Sequence, residues 1–83
     1  MADFAPAPDL FEDLRTALGL SYLSQLPEAF AGPGMARALA ELPLARYTVW
    51  QWQDLYRYLL NSAPPAGAES VRSALLAASG RPR

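Results

Sequence analysis

The chain contains neither cysteine nor histidine. Without cysteine it can build neither a disulfide framework nor a thiolate metal site. Without histidine it loses nearly all zinc sites, the His-dependent acid–base chemistries and the commonest nucleophile–base pairs. The inventory therefore predicts a protein that is not an enzyme and holds no metal and no cofactor; no small-molecule substrate is inferred. Lysine is missing as well. All positive residues are arginine, seven against eight Asp plus Glu, for a formal net charge of −1. A basic footprint that would hold a phosphate backbone by counterion release is absent from the chain as a whole. The one local cluster, Arg81 and Arg83, reads as a frayed, solubilising end. No run of about twenty apolar residues exists, so no membrane span is expected. The first residues, Met-Ala-Asp-Phe-Ala-Pro-Ala-Pro, lack the basic and continuous apolar regions of a secretion signal, and a cytoplasmic location is expected. The Ala, Pro and Arg bias points to a GC-rich bacterial or phage genome, an inference from residue usage rather than from physics.

What is present is enough for one small domain. Eighty-three residues lie near the lower size at which a hydrophobic core suffices without staples. Residues 1–8 are Ala/Pro-rich and read as an extended tail, with Phe4 able to dock on the domain; residues 9–80 form the domain and 81–83 a second tail. Asp9-Leu10-Phe11-Glu12 has the capping-box pattern, in which Asp9 caps a helix and Glu12 reaches back to the cap amide. That helix should reach about Leu18, with Gly19 at its end. The acidic trio Asp9, Glu12 and Asp13 is explained by capping and by the positive end of the helix dipole.

Leu20, Leu23 and Leu26 keep helical spacing, but Pro27 cannot lie in a helix interior, so two short pieces should meet near it. Gly32-Pro33-Gly34 is a break. Met35–Leu42 favours helix, with Met35, Leu39 and Leu42 inward and Arg37 and Glu41 paired outside. Pro43 ends that helix or starts the next. Ser62–Gly67 is a loop, and a last helix spans about Ala68–Ala78 with Val71, Leu75 and Ala78 on one stripe, ending near Gly80 ahead of Pro82. With no credible strand, the expected fold is all-α, a small irregular or orthogonal bundle of four or five short helices.

The densest stretch is Tyr47–Leu60, which holds both tryptophans and three of the four tyrosines. At about 100° per residue, Val49, Trp52, Leu55, Tyr56, Leu59 and Leu60 share one side and read as a core face. Tyr47, Trp50 and Tyr58 fall on the other side, among Gln51, Asp54, Arg57 and Asn61. A helix apolar on more than one side is buried centrally or covered by something else, and a domain this small has little chain left to wrap it. The outer aromatics either pack under the chain's own tails or meet a partner.

Leu39–Trp52, LAELPLARYTVWQW, resembles the helix–turn–helix of bacterial repressors and phage regulators. The resemblance implies a recognition helix starting near Arg46–Thr48, with Arg46, Tyr47, Thr48, Gln51 and Gln53 toward a DNA major groove and Val49 and Trp52 inward. Pro43 stands at or beside the position where such motifs usually carry a glycine of positive φ. In size and helix count the chain is also similar to death-fold-like adaptor domains, a likeness of architecture alone.

The reading that follows is a non-enzymatic protein–protein interaction module, an adaptor, inhibitor or regulatory subunit, that binds another protein or itself as a homodimer through Tyr47, Trp50, Asp54, Arg57 and Tyr58. Large rings and a guanidinium are the groups most enriched in binding hot spots. A DNA-binding regulator is the alternative, and a self-associating structural or phage accessory protein the third.

Overall fold

The computed structural model describes residues 8–79. Five helices follow in order: α1 (Leu10–Ala17), α2 (Leu26–Ala29), α3 (Met35–Glu41), α4 (Val49–Leu60) and α5 (Ala68–Ala78). Single 3-10 turns at Leu23–Gln25 and Leu44–Arg46 fill two connections, and no strand occurs among the described residues. Helix α4 is the hub, packed on α5, α1 and α2, while α3 leans on α5 and α1. The expected all-α bundle is the fold found.

Local chemistry sets the helix ends. Asp9 accepts from the Phe11 and Glu12 amides at 3.0 and 3.4 Å, which starts α1 as expected. The reciprocal half of the box does not form. Glu12 turns instead to Arg15, 2.9 Å away, a charge-assisted bond that outcompetes a neutral amide. The helix closes in a Schellman motif: Gly19, at φ +70°, donates to Thr16 and Leu20 donates to Arg15, both at 3.0 Å. Arg15 also caps the exit by donating to the Leu20 carbonyl at 2.8 Å.

Pro27 sits in the first turn of α2, where its missing N–H costs no helical bond, and the 3-10 turn precedes it as the two-piece reading required. Arg37 and Glu41 pair on the exposed side of α3 at 3.2 Å. Arg72 of α5 donates to the Leu42 carbonyl at 3.1 Å and fastens the end of α3.

The core is a single cluster in which Leu10, Leu14, Leu26, Met35, Leu39, Trp52, Leu55, Val71 and Leu75 are fully buried. Trp52 is the largest of them. Burying an indole of this size removes roughly 150–250 Å² from water, worth about 4–6 kcal/mol before entropy is counted. Its Nε1–H donates to the Leu44 carbonyl at 3.2 Å, so the one polar atom of the ring is satisfied inside the core. Phe4, Gly80, Arg81, Pro82 and Arg83 lie outside the described residues, as does all but Pro8 of the expected N-terminal tail.

Candidate functional site

Helix α4 begins two residues later than the periodicity predicts, and the reason lies in its cap. Thr48 Oγ1 accepts from the Gln51 amide at 3.2 Å, and Gln51 Oε1 accepts from the Thr48 amide at 3.3 Å. This is a complete capping box. It holds Thr48 extended, at ψ 159°, so neither Tyr47 nor the Leu44–Arg46 segment continues into the helix. Tyr47 thereby takes the position just before the cap and packs edge-on against Trp52, ring centroids 6.0 Å apart. That is the hydrophobic-staple arrangement.

The expectation that Tyr47 belongs to the outer aromatic face is therefore corrected: it is only 6% exposed and is part of the core. Its hydroxyl donates to Asp13 of α1, which also lies 3.6 Å from Arg46. Burial, reinforced by the hydrogen bond to and the charge of Asp13, pushes the Tyr47 phenol up to about 12, with Arg46 opposing. Asp13 thus ties α1 to the entry of α4 in addition to sitting near a helix start.

The residues named for groove reading are drawn into the same framework. Arg46 pairs with Asp13, and Thr48 and Gln51 form the cap. Gln51 Nε2 also donates to the Pro8 carbonyl at 2.8 Å. Glutamine does here what glutamate could not, because only the amide supplies both an acceptor for the cap and a donor for Pro8. Gln53 donates to Pro65 at 3.0 Å and holds the loop before α5. Seven residues, Leu42–Thr48, separate α3 from α4, whereas a helix–turn–helix uses a turn of roughly three or four.

What remains outward on α4 is a strip of Trp50, Asp54, Arg57, Tyr58 and Asn61. Trp50 is 69% exposed, and its indole N–H makes no hydrogen bond among the described residues. Asp54 and Arg57 pair with each other at 3.0 Å across one turn, both more than half exposed. Tyr58 is 43% exposed. Its ring stands edge-on to Phe11, centroids 5.6 Å apart, and its hydroxyl donates to the Leu23 carbonyl at 3.3 Å.

That bond draws in a residue that helical spacing grouped with Leu20 and Leu26. Leu23 lies on the surface, its carbonyl bonded by Tyr58, and Tyr22 before it is 69% exposed. The signal was Pro27: a helix that carries it in the first turn starts at Leu26 and leaves Leu23 in the turn before, and of the two only Leu26 is buried.

Fold and surface together define a small all-α domain whose central helix is buried on one side and aromatic on the other. No protein-family model, curated protein or solved structure matches the chain. Among the described residues no helix is long and apolar enough to cross a membrane.

Proposed function

We propose that the chain is a non-enzymatic protein-interaction module, acting as an adaptor, inhibitor or regulatory subunit, and that it docks through the outer strip of α4. Trp50, Asp54, Arg57 and Tyr58 form the contact, extended by Tyr22 and Leu23. The observation that carries this reading is Trp50: a large ring 69% exposed on the helix whose other tryptophan is the centre of the core. Exposed tryptophan and tyrosine beside an arginine supply much contact area for little lost rotamer freedom. A groove-reading role would instead ask Thr48 and Gln51 to serve DNA while they hold the cap.

The test places a photo-crosslinking residue at position 50, and for comparison at exposed Ser73 on α5, in the host cell. A discrete protein adduct at position 50 and none at 73 is expected, with Trp50→Ala retaining helical circular dichroism. Equal labelling at both positions, or an unfolded Trp50→Ala, would sink the reading.

A further inference from the structure

Trp50, Asp54, Arg57 and Asn61 follow one another at intervals of four, three and four residues, and all four are exposed. At about 100° per residue they fall within an arc of roughly 60°, the spacing of a coiled-coil seam. The described residues leave this seam open. On one flank Gln51 reaches to Pro8 and Tyr58 to Leu23, and on the other Gln53 reaches to Pro65, so the domain's own segments pass on either side of it.

The charge order along the seam selects an occupant. Laid against itself in parallel, the seam would set Asp54 on Asp54 and Arg57 on Arg57. Laid antiparallel about a two-fold axis between these residues, it sets Asp54 opposite Arg57 twice and Trp50 opposite Asn61 twice. We propose that α4 pairs in this way with α4 of a second copy of the chain, resting on the reading of the outer strip as a contact surface. The contact is isologous and closes on itself. Each Arg57 then has two uses: it meets Asp54 of the second copy, and its guanidinium lies within reach of that copy's Trp50 ring, which sits one turn away on the facing helix. Asn61 suits the end of the seam, because its left-handed backbone, φ 52°, stops the helix there.

A seam about 16 Å long at 1.5 Å per residue is small. With rings of this size it covers on the order of 500 Å² per copy, below the roughly 800 Å² per partner of a standard stable interface. The pairing is therefore weak and reversible, and concentration decides it.

The experiment is sedimentation equilibrium from micromolar to millimolar protein, with circular dichroism as the check on folding. Wild type is expected to move from monomer to dimer across that range. Asp54→Arg and Arg57→Asp alone each place like charges opposite one another twice and weaken the dimer at least tenfold. The double exchange restores it, and an equimolar mixture of the two single variants forms a heterodimer; the weakening of each single variant marks the antiparallel register, because a parallel pairing sets like charges opposite one another in wild type and single variants alike. Trp50→Ala, which leaves the charges alone, also yields a monomer. A wild type that stays monomeric at millimolar concentration overturns the pairing, as does a dimer indifferent to the single exchanges. If the monomer nevertheless crosslinks to another protein through position 50, the outer strip is a docking face for that protein and self-pairing alone has failed. If it crosslinks to nothing, both readings have failed.

Discussion

Trp50 and Trp52 stand two residues apart on α4, and one is 69% exposed while the other is fully buried. The regions around them differ in the same way. At the cap end, Tyr47, Thr48, Gln51 and Trp52 each satisfy a polar atom inside the chain, on Asp13, on the cap amides, on Pro8 and on Leu44. Along the outer strip Asp54 and Arg57 bond, among the described residues, only to each other. Residue type does not separate the two regions, since both contain tryptophan, tyrosine, arginine and an acid. Connection does: at the cap end the polar tips tie α4 to α1 and to the preceding turn, whereas on the strip, among the described residues, Tyr58 alone bonds to another segment.

The contrast is broken most severely at Trp52. Trp52→Ala leaves a cavity at the centre of the core and is expected to cost about 3–5 kcal/mol, a large share of what so small a domain has. Trp50→Ala should stay within about 0.5 kcal/mol. Urea unfolding followed by circular dichroism measures both, and similar losses would show that the two indoles are not differently placed.

Tyr47 carries the next largest effect, and pH exposes it. Its phenol, held near 12 in the fold against an ordinary 10, keeps a proton that the unfolded chain loses. Stability from this residue is thus complete below pH 10, falls as pH rises from 10 to 12, and levels off above that; at about 1.4 kcal/mol per unit the loss is on the order of 3 kcal/mol. Tyr47→Phe should be less stable by about 1–2 kcal/mol at neutral pH, with the ring still packed on Trp52, and should lack this alkaline slope. Midpoints of denaturation at pH 8, 10 and 12 read the difference, and parallel curves for the two proteins would assign the slope to other groups.

The smallest effect sharpens the picture at Gln51. Gln51→Glu keeps the cap acceptor and removes the donor to Pro8, so α4 should lose under about 1 kcal/mol. Amide exchange at Thr48 and Gln51 should be unchanged. Thr48→Ala, by comparison, removes the cap bond itself and costs about 1 kcal/mol with faster exchange of the Gln51 amide. Equal exchange in the two variants would mean that the capping box does not hold this helix end.

Much of this was legible from residue order. The inward stripe Trp52, Leu55 and Leu59 follows from spacing alone, because any helix through those positions puts them on one side, and all three are buried. Gly19, Pro27 and Pro43 mark element boundaries through their own backbone restrictions. The Thr48-x-x-Gln51 cap was also written there, as the S/T-x-x-E/Q signature; its residues read instead as groove-facing because a recognition helix offered them a second use. Glu12 shows the converse, a signature whose cap bond lost to a nearby arginine.

The sequence by itself thus determined the helical class, the breaks between elements and the buried face of α4, since these depend on spacing and on backbone restrictions that act within a few residues. Only the tertiary structure decided which aromatics leave the surface. A helical projection assigns an angle but not a neighbour: Tyr47 went inward because α1 brings Asp13 to its hydroxyl, Tyr58 stopped halfway because Phe11 and the Leu23 carbonyl meet it, and Trp50 stayed out because no described element crosses its side of the helix.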